Sequence, residues 1–360
     1  MFPRIEYVDW IVPRIEAATH DLGSSDLRPE AGDRDRIVPP RLADLPTPDD
    51  GLRALVAAAY GVDAERVLVT PGASAANAIA AAVALGTAPD PSAARVLVEK
   101  PGYEPHVATP EGLGATVDRY RRDETWALDP GRIDAATMDE TRLVVASNRH
   151  NPTGARADRE TLAAAAEAAA SADARLLVDE VYAPYGAVGE GGAFGGPTGA
   201  DLPNAVITGS LTKFWGFGPL RIGWLVADPS FVERAREVAV HLSAVAGPSR
   251  TLARRALAAG ESLAADGRER CLANHDLLRS FLEDRADLDG RVFEGCPYAF
   301  LTHESADGEA VAAAAWEEDV LVVPGRFFGA TDGFRVSLGV PPGDARDGLE
   351  AFDRALDGLV

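Results

Sequence analysis

Along the first two thirds of the chain, short runs of aliphatic and β-branched residues alternate with longer alanine-rich stretches. Val67-Leu68-Val69, Arg95-Val96-Leu97-Val98, Leu143-Val144-Val145-Ala146, Leu176-Leu177-Val178, Ala205-Val206-Ile207-Thr208 and Ile222-Gly223-Trp224-Leu225-Val226 predict strands. Near-continuous apolarity over so short a run marks strands buried on both faces, as in a parallel sheet covered by helices. Helices are predicted over residues 73–85, 158–171, 229–244 and 249–285. Beyond them the pattern changes. Tyr298-Ala299-Phe300-Leu301, Val320-Leu321-Val322-Val323 and Phe334-Arg335-Val336-Ser337-Leu338, with helices around 309–316 and from Asp344, predict a compact α+β unit. Residues 1–45 are rich in proline and glycine and are expected to pack onto that unit. The fold class is therefore α/β, divided into an N-terminal segment (1–45), a large domain (46–245) and a small domain (246–360). The glycine-rich stretch 186–199 is expected to be a connection rather than a phosphate cradle, since no strong helix follows it.

With 46% hydrophobic and 25% charged residues the composition is that of a soluble globular protein. The formal net charge of −21 argues against nucleic-acid binding, which needs a basic footprint. Excess acid, abundant alanine and scarce lysine together suggest adaptation to high salt, where a Debye length of ~3 Å screens such a surface. Two cysteines, Cys271 and Cys296, make no disulfide framework and are expected to be reduced. No basic segment followed by an apolar run opens the chain, and no apolar stretch is long enough to span a bilayer, so a cytoplasmic protein is expected.

Lysine changes the picture most. It occurs only at Lys100 and Lys213, among 35 basic residues. A primary amine can form an imine with an aldehyde, whereas a guanidinium cannot. Lys213 lies in Gly209-Ser210-Leu211-Thr212-Lys213-Phe214-Trp215-Gly216, among hydroxyls, glycines and aromatics rather than on a charged face.

Four further segments follow predicted strands, where ligands gather in open α/β sheets. Thr70-Pro71-Gly72-Ala73-Ser74 precedes a helix, whose first N–H groups can bind an anion; it can equally be a plain strand-to-helix turn. Glu99-Lys100-Pro101-Gly102-Tyr103 places an aromatic that stacks on a flat ring or fills the core. Asn151-Pro152-Thr153-Gly154 is a turn whose Asn151 is either structural or a donor to a phenolic oxygen. In Asp179-Glu180-Val181-Tyr182 a carboxylate leaves a buried strand and needs a cationic or donor partner, such as a protonated ring nitrogen. Ser210, Thr212 and Arg221 offer hydroxyls and a fork to a phosphate. These parts suit one ligand, pyridoxal 5′-phosphate (PLP).

Asn151-Pro152-Thr153-Gly154, Asp179-Glu180-Val181-Tyr182, Ser210-Leu211-Thr212-Lys213 and Arg221-Ile222-Gly223-Trp224 resemble the class I/II aminotransferases of fold type I. The resemblance implies a mostly parallel seven-stranded sheet in the large domain and a homodimer. It implies Lys213 as the imine lysine, Asp179 as partner of the pyridinium nitrogen, and Tyr103 as the stacking ring, the three forming the catalytic set. Asn151 and Tyr182 would hold the phenolic oxygen. Ala73, Ser74, Ser210, Thr212 and Arg221 would form the phosphate cup. Arg335 would clamp the substrate α-carboxylate beneath an N-terminal segment at Gly23. One departure is Asn148-Arg149-His150 in place of the usual proline-containing lead-in. Arg149 either reads a second acidic group or neutralises acidic surface, the second being simpler. His106 and His150 are expected to be structural or solvated, and Lys100 non-catalytic.

The activity so implied is ping-pong transfer of an amino group between an amino acid and a 2-oxo acid. A decarboxylase, β-lyase or cyclising synthase uses the same parts. A non-catalytic sensor is disfavoured because no basic DNA-binding region accompanies the domain. No His/Cys/Asp cluster has metal-ligand spacing.

Overall fold

Six of the predicted strands pair into one sheet with a seventh that the apolar runs do not reveal. In a computed structural model describing residues 2–29, 33, 36–186 and 194–359, the sheet order is Val67–Thr70, Gly223–Val226, Ala205–Ser210, Arg175–Asp179, Thr141–Ser147, Arg95–Lys100, Thr116–Arg121. All neighbours are parallel except at Gly223–Val226, which runs against both of its partners. Val67–Thr70 therefore points the same way as the central strands. The seventh strand, Thr116-Val117-Asp118-Arg119-Tyr120-Arg121, is the sheet edge and buries only Tyr120 fully. An edge strand needs no continuous apolar run, so polar residues dominate it.

Both faces of the sheet are covered, and the side-chain period of two divides each strand between two cores. Leu176, Val178, Ile207 and Trp224 enter one core, while Leu177, Val206 and Leu225 enter the other. Helix Ala73–Leu85 forms as expected and packs its Ala76, Ile79 and Ala80 face into the second core. Helix Arg159–Ala170 begins where Asp158 accepts a hydrogen bond from Thr161 N, a side-chain N-cap. The stretch predicted as one helix over 249–285 is two, Gly247–Ala258 and Gly260–Asp284, and the helix predicted over 229–244 ends at Ala239.

Four short strands, Val323–Pro324, Gly333–Ser337, Tyr298–His303 and Leu288–Gly290, form an antiparallel sheet with its own core of Leu301, Phe334, Val336 and Phe352. The N-terminal segment meets it. His20–Asp21 pairs in parallel with Val320–Leu321, and Ile11 packs against Phe300, Leu321, Val323, Phe327 and Phe328. Its proline and glycine content hid a helix, Glu6–Ala17, which carries Pro13 internally. No helix among the described residues is long and apolar enough to cross a membrane. Residues 187–193 of the glycine-rich stretch lie outside the described residues.

Candidate active site

The parallel strands end on one edge of the large sheet, and the loops leaving that edge surround a cavity open to solvent. Ten of the twelve residues expected from the sequence line it: Ala73, Ser74, Tyr103, Asn151, Asp179, Tyr182, Ser210, Thr212, Lys213 and Arg221. Gly23 and Arg335 stand one layer behind its wall. Tyr7, Asn77, His106, Ser147 and Val181 also line it.

At one end helix Ala73–Leu85 opens toward the cavity. Gly72 precedes it at φ 95 with no side-chain cap, which leaves the first-turn N–H groups of the helix free for an anion. A Cβ on Gly72 would lie 2.6 Å from Arg221 Nη2, and one on Gly223 would lie 2.4 Å from the Gly72 carbonyl carbon. Glycine at both positions thus lets strand, turn and guanidinium close around this end. Ser210, Thr212 and Arg221 line the same cavity.

Deeper in, Asp179 is buried and richly supplied with donors. Its Oδ2 accepts from Asn77 Nδ2 at 2.9 Å and pairs with His106 Nε2 at 3.0 Å, while Oδ1 accepts from Val181 N at 3.1 Å. Asn77 is itself oriented by Thr208 Oγ1, which donates to its Oδ1 at 2.6 Å. Burial alone would raise the Asp179 pKa, but His106, Asn77 and the Val181 N–H together hold it below the ordinary carboxylate value. The carboxylate therefore stays ionised. His106 also meets Tyr103 edge to face, with ring centroids 5.4 Å apart, and burial pushes the Tyr103 phenol above its usual range.

Lys213 lines the same cavity from the loop after Ala205–Ser210. Burial works against its charge, yet Tyr182, Asp26, Tyr7 and Tyr103 around it hold its pKa above the ordinary lysine value. Leu27 N donates to its carbonyl at 2.8 Å. The same N-terminal segment supplies Ser25, whose Oγ lies 2.7 Å from the Tyr182 hydroxyl. Asn151 Oδ1 accepts from Arg335 Nη1 at 2.7 Å, which identifies Nδ2 as the donor Asn151 keeps for a ligand. Behind Asn151, Ser147 N and Oγ both donate to the buried Glu99, which pairs with Arg122 at 2.9 Å.

Two expectations are narrowed or changed, at His106 and at Arg149. Of the two alternatives for His106, structural or solvated, the solvated one falls, since the side chain is buried against Asp179. It lies three residues after Tyr103, whose carbonyl accepts from His106 N, and Asn77 lies one helical turn after Ala73; close spacing to a proposed site residue was the signal for both. Arg149 is only 3% exposed and donates to the Gly154 carbonyl at 3.3 Å, so it neutralises no acidic surface. It does not line the cavity. His150 is structural as expected, bonded to Thr153 Oγ1 and the Pro101 carbonyl, and burial with Arg122 nearby lowers its pKa to about 4.

The family profile "Aminotransferase class I and II" matches residues 40–352. The chain belongs to the class I and II aminotransferases. Within this PLP-dependent family it is 29% identical to histidinol-phosphate aminotransferase of Erythrobacter litoralis over 62% of its own length and 58% of that protein's. It is 27% identical to capreomycidine synthase of Streptomyces vinaceus over 98% of its own length and 94% of that protein's. A PLP-dependent aminotransferase from Streptococcus suis shares the fold at TM-score 0.85 and 21% identity, covering 100% of this chain and 99% of that one. The PLP-dependent cyclase OrfR superposes at TM-score 0.80 with 26% identity, covering 99% of this chain and 98% of that one.

Glu180, next to Asp179 but outside the cavity lining, is pushed away from the ordinary carboxylate range. Burial raises the Glu180 pKa to about 8, although Thr198 and Gly199 N donate to it. The folded state thus keeps a proton that the unfolded chain releases near 4.5. Its contribution to stability is full below that value and is lost as pH rises toward 8. Thermal unfolding should show a midpoint falling from pH 5 to pH 8, and Glu180→Gln should flatten the fall. Equal slopes for the two proteins would refute this account.

Proposed function

We propose that this chain uses PLP to move an amino group between an amino acid and a 2-oxo acid. The observation that carries the reading is that Lys213 and an ionised Asp179 line one cavity together with the first turn of an uncapped helix N-terminus and Ser210, Thr212 and Arg221. Those groups fit the cofactor's phosphate, and Gly72 and Gly223 leave the close approach that such a cradle needs. When bound, PLP supplies an aldehyde for the amine and a protonated ring that withdraws electrons from the substrate α-carbon.

The protein's own groups divide the remaining work. Asp179 holds the proton on the ring nitrogen, with His106 and Asn77 keeping its carboxylate charged. Tyr103 would cover one face of the ring, while Asn151 Nδ2 and the Tyr182 hydroxyl would donate to its phenolic oxygen. Lys213 Nζ would hold the cofactor and, when free, would serve as the base that takes the proton from the substrate α-carbon and as the acid that gives it back. Because Nζ is held protonated in the free protein, cofactor uptake requires that proton to leave.

A second reading has its own support. Capreomycidine synthase matches nearly the whole chain, and OrfR is a cyclase of the same fold. A cyclase, lyase or decarboxylase uses the same Lys213 and Asp179 but needs no 2-oxo acid. Purified protein mixed with PLP and a panel of amino acids distinguishes the two. An aminotransferase releases about one equivalent of 2-oxo acid per site and then stops until a second 2-oxo acid is added. Continuous turnover on the amino acid alone would replace the first reading by the second, and failure to take up PLP would end both.

A further inference from the structure

Arg335, expected to clamp the substrate carboxylate, lies behind the cavity wall with one N–H of each Nη already engaged. It is 1% exposed and does not line the cavity. Its Nη1 is committed to Asn151 Oδ1, its Nη2 to the Gly23 carbonyl at 2.6 Å, and its buried Nε has no hydrogen-bond partner. The cavity-lining groups in contact with this guanidinium are Asn151 and Tyr7, whose hydroxyl lies 3.4 Å from Nη2.

Resting on the function proposed above, we propose that Tyr7 is a substrate-binding residue whose hydroxyl reads the α-carboxylate together with Arg335, and that Glu104 positions it. A tyrosine hydroxyl that accepts from a guanidinium keeps its own proton to donate. The cation behind it polarises that O–H and makes it a stronger donor. Tyr7 thereby carries the reach of a buried positive charge to the cavity wall, where a carboxylate can meet it.

The position of Tyr7 is set from outside its own helix. Helix Glu6–Ala17 has Ile5 at its N-cap, which offers no side-chain acceptor. Glu104 fills that role from a distant element. Its Oε1 accepts from Glu6 N at 2.9 Å and its Oε2 from Tyr7 N at 2.7 Å, satisfying two of the helix's unpaired donors with a charge of the favourable sign. Glu104 follows Tyr103, so the helix is latched to the loop that carries the stacking ring. The Tyr7 ring is then held edge-on to Tyr103 at 6.0 Å and to Phe327 at 5.7 Å.

The test uses two amines that differ by one carboxylate, 2-aminoisobutyrate and isopropylamine, titrated into PLP-loaded protein while the cofactor absorbance is followed. Tyr7→Phe should weaken 2-aminoisobutyrate about tenfold and leave isopropylamine within about twofold. Glu104→Ala should produce the same selective loss with a smaller amplitude. An equal loss for both amines, or none, overturns the role of Tyr7, as does a wild-type protein without preference for the acid. An unchanged preference in Glu104→Ala overturns the positioning role alone. A wild-type protein that takes up no PLP fails at the first step and refutes the proposed function instead.

Discussion

Lys213→Arg loses at least about 10⁴-fold in kcat/KM, as does Lys213→Ala, although arginine keeps the positive charge and most of the bulk. The comparison separates two roles that a single variant would merge. The charge matters to Tyr182, Asp26, Tyr7 and Tyr103, which surround Nζ, and arginine preserves it. What arginine lacks is a releasable proton at an accessible pH and therefore a free electron pair for the aldehyde. Borohydride treatment of PLP-loaded protein should fix the cofactor covalently to the wild type and to neither variant. A small added amine should restore part of the turnover of Lys213→Ala, whose cavity has room for it, and much less of Lys213→Arg. An arginine variant retaining a tenth of the activity would refute the assignment.

Asp179→Asn lowers kcat/KM by about 10³-fold, the scale seen when one preorganised electrostatic contact to the reacting group is removed. The structure adds a second consequence. The carboxylate offers two acceptors, Oδ1 to Val181 N and Oδ2 to Asn77 and His106. An amide offers one, so at least one buried donor loses its partner, at a cost of about 1–3 kcal/mol in stability. The pH dependence follows from the sign of the shift. A folded-state pKa held below the ordinary value of 3.8 leaves Asp179 charged in both states at neutral pH. Its stabilisation is present above that value and is lost only as pH falls through the lower folded-state one. A wild-type pH–rate profile should therefore show no acidic limb from this group between about pH 5 and 8. Asp179→Glu, which keeps the charge, should lose much less than the amide; equal losses would mean that position rather than charge is what matters.

The contrast between Asp179 and Tyr7 shows what could be read before the chain was folded. Asp179 announces itself because Leu176-Leu177-Val178 is continuous and apolar, and a carboxylate at the end of such a run must find partners. Lys213 and Asn151 are legible for the same reason, each lying just past a buried strand. The supporting residues are half legible. Asn77 and His106 sit close in sequence to residues already singled out, but knowing that both turn toward Asp179 requires the packing of helix Ala73–Leu85 across the sheet. The edge strand Thr116–Arg121 was hidden because only one of its sides needs to be apolar. Tyr7 carries no local signal. Helix Glu6–Ala17 has an internal proline and no side-chain cap of its own, and what completes its first turn is Glu104, 97 residues from Tyr7.

The sequence by itself determined the central strands, their parallel arrangement and the loops that bear Lys213, Asp179 and the Gly72 turn. Hydrophobic periodicity and turn chemistry act over a few residues, so they can be read from the order of residues alone. Only the tertiary structure decided which donors keep Asp179 charged, why Arg335 lies behind the cavity wall, and that Tyr7 stands in front of it. Those outcomes depend on hydrogen bonds between segments up to 328 residues apart. Such bonds leave no pattern in either segment and arise only when the two sheets and the N-terminal helix close around one cavity.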